Sequence, residues 1–372
     1  MTQEPSRHVA FVYVGPLGTR GRLLKQVATL QKEGVHCEVF HGNSRNEKIG
    51  PETYPFPVTS MPFNSDGGQL RSFSEVFRFA RKAGPLIAES DADTVVCVSL
   101  IALVAGIRAK KIRPSLRLIF DNNELHLESY LSRVKRIVWR PLHNRYIRSC
   151  DVIIHAEPNR MAYFKEHYPL TGTPQLVIEN FPSYVPGIRK PERNEGPVRV
   201  IYLGGFGAGR FTEEIIDAFS SFDDSVSLDI VGSGFKGYGD RLAKRIEEGG
   251  SSLVRILPPV PYAEIPELLR SYDIGIALYR NTNLNNYYCA PNKVYDYLMN
   301  GMPVIANDYP GLVSVLEENK VGACISDVGA AEIRSAIDRI VDERRAGNIT
   351  DELRKKYCWE AQEKRYLEIF GY

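Results

Sequence analysis

Two cations and one carboxylate stand where this sequence can hold a diphosphate. Lys293 falls in Pro291-Asn-Lys-Val-Tyr-Asp-Tyr-Leu298. A proline suits the first turn of a helix, because its missing N–H would have no partner there. That turn also carries free N–H groups and a partial positive charge, a setting that favours an anion. Asp296 lies three residues on and shares Lys293's face at helical spacing. Arg210 closes a separate segment, Leu203-Gly-Gly-Phe-Gly-Ala-Gly-Arg210, whose glycines follow an apolar run and precede a helical one. Both cations are expected at the carboxyl edge of one sheet, where they suit a leaving group whose negative charge grows as its bond breaks. A carboxylate beside them adds a partner for a sugar hydroxyl, so the residues point to a nucleotide-sugar site. The plain alternative is a helix and a glycine loop of an ordinary α/β domain with solvated charges.

The elements that must position these residues alternate along nearly the whole chain, short apolar strands with amphipathic helices, which is the pattern of α/β layers around parallel sheets. In the first half the pattern predicts strands at His8–Val14, His36–Phe40, Thr94–Val98, Leu116–Phe120, Asp151–His155 and Gln175–Glu179. Pro182–Pro197, rich in proline, glycine and charge, reads as a linker. The rhythm restarts with strands at Val198–Leu203, Ser227–Val231, Leu253–Leu257, Asp273–Leu278, Pro303–Ala306 and Gly322–Ser326, and a helix is expected over Thr350–Phe370.

The 372 residues suffice for two domains, and a charged fraction of 25% with 43% hydrophobic residues is that of a globular protein. The first apolar run, Val9–Val14, is too short for a signal peptide, and Thr94–Gly106 is too short to span a bilayer. Six cysteines lack metal-ligand spacing and read as reduced cytosolic thiols. The net charge of +2 conceals an asymmetry: Met1–Pro186 holds 24 Lys and Arg against 17 Asp and Glu, the remainder 23 against 28. A basic and an acidic half suit different partners. Nucleic acid is a poor fit to a near-neutral chain without a known binding module.

Pro291-Asn-Lys-Val-Tyr-Asp-Tyr-Leu298 followed by Gly301-Met-Pro-Val-Ile305 resembles the donor-binding motif of GT-B glycosyltransferases of the retaining family-four type. Such enzymes carry a Glu-x7-Glu pair there; Asp296 stands in place of the second Glu and Tyr288 in place of the first. The resemblance implies an α/β fold of GT-B type, two Rossmann-like doubly wound parallel-sheet domains facing a cleft. It divides the chain into an acceptor domain at 1–186, a nucleotide-sugar domain at 187–349, and a terminal helix at 350–372 that returns to the first domain. It implies transfer of a sugar from a nucleotide-diphosphate donor to a hydroxyl of a glycan or lipid-linked acceptor, with no metal or other cofactor. Arg210 and Lys293 would meet the diphosphate and Asp296 the ribose or sugar, with Gly205, Gly232 and Asn292 lining the donor site.

Phe120-Asp-Asn-Asn-Glu-Leu-His126 likewise resembles a family segment whose His faces the donor sugar; that place is held here by Asn123, between Asp121 and Glu124. Asparagine can hydrogen-bond a hydroxyl but cannot act as a base, so an inverting enzyme would turn to Asp121 or Glu124. Gly15 and Gly18, in the loop after the first strand, are expected beside the transferred group. The basic stretch Arg133–Arg148 reads either as a solvated helix face or as a surface for anionic lipid, with Trp139 and Tyr146 at headgroup level. The expected setting is cytoplasmic, with peripheral contact to a membrane. Two rivals remain open, a nucleotide-sugar epimerase of the same architecture and a non-catalytic nucleotide-sugar-binding protein.

Overall fold

In a computed structural model of the chain, residues 7–18, 20–44, 53–64, 69–129, 133–188, 196–207, 209–234, 237–289 and 291–372 are described. Residues 189–195 of the expected linker, and Thr19, Ala208 and Ala290 beside the expected sites, lie outside them. The chain divides into two compact units, Met1–Glu179 with Gln362–Tyr372, and Asn180–Ala361.

The first unit is built on a seven-stranded, wholly parallel sheet. Its strands are β1 (His8–Val14), β2 (His36–Asn43), β3 (Val58–Pro62), β4 (Thr94–Val98), β5 (Arg117–Asn122), β6 (Val152–His155) and β7 (Gln175–Val177), in the order β3-β2-β1-β4-β5-β6-β7. β1 and β4 are buried along most or all of their length, as strands covered on both faces by helices must be. The second unit holds six parallel strands in the order β10-β9-β8-β11-β12-β13: β8 (Val198–Leu203), β9 (Val226–Val231), β10 (Val254–Leu257), β11 (Ile274–Ala277), β12 (Val304–Asn307) and β13 (Gly322–Ile325). In each sheet the order reverses beside the first strand, so the loops leaving β1 and β8 open at the point where such sheets receive ligands.

β3 is an addition to the sequence reading. It is an edge strand, largely exposed and closed by a proline, so it lacks the apolar alternation that announces a strand. The single terminal helix expected over Thr350–Phe370 is two, Asp351–Lys356 and Glu360–Glu368. Between them the Trp359 N–H leaves the helical ladder and donates to the carbonyl of Pro182. Past the break, Glu363 accepts from Thr29 (2.9 Å) and Lys32 (2.7 Å) within the first unit.

One tyrosine sets the geometry of the second unit. The helix Asn292–Met299 lies on the sheet with Tyr297 fully buried against β11, and Gly275 of that strand makes the fit: a Cβ there would drive into the Tyr297 ring. The Tyr297 hydroxyl accepts from the Leu203 N–H at 2.8 Å and lies 3.3 Å from the Ile201 carbonyl, to which it donates. The helix is thereby pinned to the end of β8. Tyr297→Phe should keep the fold yet leave a buried N–H unsatisfied, a loss of about 1–3 kcal/mol measurable by urea unfolding; an unchanged midpoint would show that the ring alone holds the helix.

Candidate functional site

Arg210 and Lys293 meet at the carboxyl edge of the second sheet. Lys293 leaves the first turn of its helix, passes the bare backbone of Gly204 and sets its Nζ 3.9 Å from the ring centroid of Tyr202 and 5.4 Å from that of Tyr279. The Arg210 guanidinium lies 4.0 Å from the Tyr279 centroid, and Arg210 forms an isolated bridge with Tyr279 in the strand continuing from β11. Two cations thus share the faces of two tyrosines, an attraction of about 0.5–2 kcal/mol each. The Lys293 stem is partly exposed, but its Nζ is buried and has no hydrogen-bond partner. Burial, reinforced by the nearby charge of Arg210, lowers the Lys293 pKa to about 7. No carboxylate pairs with Lys293 among the described residues. A buried ammonium beside a guanidinium, with no counter-charge, is a site for an anion.

The glycines fit this arrangement. Gly204 and Gly232 have φ of +111° and +154°, and a Cβ on Gly232 would run into the Gly204 carbonyl, so the loops after β8 and β9 close on each other by backbone alone. Gly205 is exposed, and its carbonyl accepts from the Tyr202 hydroxyl at 2.7 Å.

The other expected donor residues are placed differently. Asp296 is buried on Lys293's helix, but its Oδ1 accepts from the Tyr262 hydroxyl at 2.9 Å and it makes no ion pair with Lys293. Helical spacing put the two on one face; the lysine extends over the end of the sheet while the aspartate meets the segment after β10. Asn292 is exposed and its Oδ1 accepts from Asn180 at 2.7 Å. Tyr288 caps the short helix Leu284–Tyr287 with its ring against Tyr287. The sequence reading missed Tyr202, Tyr279, Tyr262 and Tyr297, because an aromatic in a strand or helix reads as core.

In the first unit Asp121 ends β5 fully buried, and its oxygens accept from Arg22 Nε and Nη2 (2.9 Å each) and Gln26 Nε2 (3.0 Å). Arg22 Nη1 also donates to the Ile178 carbonyl at 2.7 Å. A carboxylate so held joins β5 to the helix Gly21–Lys32 and the chain beyond β7, with both oxygens hydrogen-bonded. Asn123 is buried with Oδ1 unpartnered, while Glu124 is partly exposed and approaches His126 Nδ1 at 3.6 Å. Gly15 is fixed by its N–H to the Gly42 carbonyl (3.1 Å) and by its carbonyl, which accepts from His41 Nε2 (2.7 Å); Gly18 is exposed. Trp139, stacked on Phe77, and Tyr146 are buried, which corrects their expected placement at a lipid headgroup; Ile137, Arg140, Arg145 and Arg148 are exposed.

Residues 187–363 match the family model of glycosyl transferases, group 1. This part of the chain is thus similar to the glycosyl transferases of group 1. Solved structures extend the likeness to the whole fold: a glycosyltransferase from Rickettsia africae (15% identity, TM-score 0.73, covering 98% of this chain and 97% of that one); sucrose-phosphate synthase from Thermosynechococcus elongatus (15%, 0.76, 98% and 98%); and Anabaena HepE in complex with UDP and glucose (17%, 0.73, 97% and 98%). No curated protein sequence matches the chain. The fold is GT-B, with two Rossmann-like units. Among the described residues no group of three or more His, Cys, Asp or Glu could hold a metal ion.

An anion at this cation pair must raise the Lys293 pKa from its resting value near 7. Binding then takes up a proton above pH 7 and weakens as pH rises, until the pKa of the bound form is passed. Calorimetry with inorganic pyrophosphate at pH 8, in buffers of different ionisation enthalpy, should show this uptake in the wild type and its loss in Lys293→Met. Equal uptake in both proteins would remove Lys293 from the anion site.

Proposed function

We propose that the chain is a glycosyltransferase that moves a sugar, with retention of anomeric configuration, from a nucleoside-diphosphate donor to a hydroxyl of a glycan or lipid-linked acceptor in cell-surface polysaccharide or glycolipid synthesis. The observation that carries this is the uncompensated pair Arg210 and Lys293 in the part of the chain similar to the glycosyl transferases of group 1. The donor diphosphate neutralises the pair, and the pair stabilises the charge that gathers on the leaving phosphate. Asp296, with Tyr262 on its other side, takes a ribose or sugar hydroxyl. The UDP-glucose complex of HepE makes a UDP-hexose the first donor to test.

Retention is supported by the state of Asp121. An inverting transferase needs a free base for the acceptor hydroxyl, and Asp121 is occupied by Arg22 and Gln26. Asn123 and Glu124 bind the acceptor or the transferred sugar in this reading, with Gly15 and Gly18 shaping the same edge, and Glu124 is the base left to an inverting enzyme. The two cations take the role a metal ion serves elsewhere. Asn123 at the His place and Tyr288 at the first Glu place favour a second reading, a protein that binds the donor without turning it over.

A panel of UDP-, GDP-, ADP- and dTDP-sugars should give one saturable binder. Lys293→Ala and Arg210→Ala should each lower kcat/KM for transfer or donor hydrolysis by roughly 10²–10³, with melting unchanged and the product's anomeric proton matching the donor's in NMR. Inverted product would sink retention; binding without turnover would establish the second reading; no binder would end the assignment.

Six cysteines outside disulfides suit a reducing, cytoplasmic setting, and among the described residues no helix is long and apolar enough to cross a membrane. Ile137, three-quarters exposed between basic residues, would dock this surface on anionic lipid. Cosedimentation with phosphatidylglycerol vesicles should be lost in Ile137→Asp and at high salt; sedimentation indifferent to both would remove the membrane from the reading.

A further inference from the structure

Lysines elsewhere in the chain meet a carboxylate: Lys32 pairs with Glu363, Lys110 with Asp151, Lys244 with Glu248 and Lys355 with Asp351. Lys293 has none among the described residues. Its Nζ lies 3.9 Å from the Tyr202 ring centroid, is buried and makes no hydrogen bond. The one carboxylate of its helix, Asp296, accepts from the Tyr262 hydroxyl instead. The charged and titratable groups that act on Lys293 are Arg210, which opposes its charge, and the buried Cys289.

An amine so placed can relieve a buried charge by taking an external anion or by giving up its proton. Burial and Arg210 favour the second and bring its pKa to about 7. A desolvated lysine freed of its proton beside another cation is a nucleophile. Its surroundings favour an anionic product. The Arg210 guanidinium lies 4.0 Å from the Tyr279 centroid, donates to the Gly209 carbonyl at 3.1 Å and makes no ion pair among the described residues. Its planar fork matches a carboxylate. Carbon dioxide is the small electrophile that meets both demands: it is apolar, which suits a site walled by two tyrosine rings, and its adduct with an amine is a carboxylate.

We propose that Lys293 is a carbon dioxide site, its Nζ forming a carbamate that pairs with Arg210. The Nζ lone pair attacks the carbon, an N–C bond forms, and one C–O π pair becomes the carboxylate charge. The nitrogen passes one proton to solvent. Carbon dioxide is the sole co-reactant, and nothing is oxidised or reduced. The lysine thereby supplies the carboxylate that the fold leaves out. The consequence for activity rests on the glycosyl-transfer reading above: the carbamate takes the place of the donor diphosphate, so carbon dioxide opposes donor binding.

The test uses the full chain at pH 8 with carbon-13 bicarbonate as the source of carbon dioxide. Carbon-13 NMR should show a saturable carbamate resonance that is lost in Lys293→Met and displaced by inorganic pyrophosphate. Alkylation with triethyloxonium followed by peptide mass spectrometry should place the adduct on Lys293. Arg210→Gln should carry about tenfold less carbamate at equal label, the loss of one charge-assisted contact. Unchanged melting of both variants should show that they fold. A resonance equal in wild type and Lys293→Met belongs to another amine and overturns the proposal, as does bicarbonate held as an ion with no trapped adduct. Equal occupancy in Arg210→Gln overturns the pairing, and a Lys293 carbamate that pyrophosphate leaves in place overturns the competition. If no nucleotide-sugar binds, the glycosyl-transfer reading fails separately, and the labelled carbamate still decides the carbon dioxide site because its detection needs no donor.

Discussion

The Tyr297 hydroxyl, seated between the Leu203 N–H and the Ile201 carbonyl, is the contact on which the second unit's chemistry depends. It lets a helix side chain complete the hydrogen bonding of a strand end. Gly275 makes room for the ring, so the helix approaches the sheet as closely as backbone and aromatic allow. Lys293 sits one turn earlier on that helix, and its reach to Tyr202 follows from this anchor. The position of the cation is therefore set by the rigid sheet rather than by a loop, which is how a charge is held ready for a developing negative charge without reorganisation.

The two units solve the same placement problem with the same parts. Each sheet reverses order beside its first strand, each first strand runs into a glycine loop, and each loop delivers an arginine near the next helix. In the second unit Arg210 rests on Tyr279; in the first Arg20 rests on Tyr13 while Arg22 is consumed by Asp121. Aromatic faces hold the open cations in place without neutralising them. A carboxylate in either position would have paired the charge.

The alternation of apolar strands and amphipathic helices made both sheets legible, because strands buried on two faces are apolar runs between turns. The edge strand Val58–Pro62 was hidden because it is exposed, and the break at Trp359 because it depends on Pro182, far away in sequence. Arg210 and Lys293 were legible from glycines, proline and charge at strand ends. Asp121 was legible as a strand-end carboxylate but not as an ion-pair partner, since Arg22 lies 99 residues away. The tyrosines were invisible for a different reason: the residue type that fills a core also makes a cation platform, and only the neighbour distinguishes the two.

Elsewhere the protein pairs its buried charges with care. Arg345 is held by Glu317 and Glu343, Arg354 by Asp351 and two backbone carbonyls, and Asp229 by Arg255 and Tyr272. Leaving a buried charge unpaired is among the more destabilising things a fold can do. Against that background Lys293 Nζ is an exception that stability alone does not explain, and the depressed pKa is the local relief the fold finds in the absence of an anion. Conflicts between a local rule and the global fold concentrate where a ligand resolves them. Here the conflict lies at the switch point of a parallel sheet, next to a second cation and glycines that expose backbone, and the diphosphate of the proposed donor would resolve all of it at once.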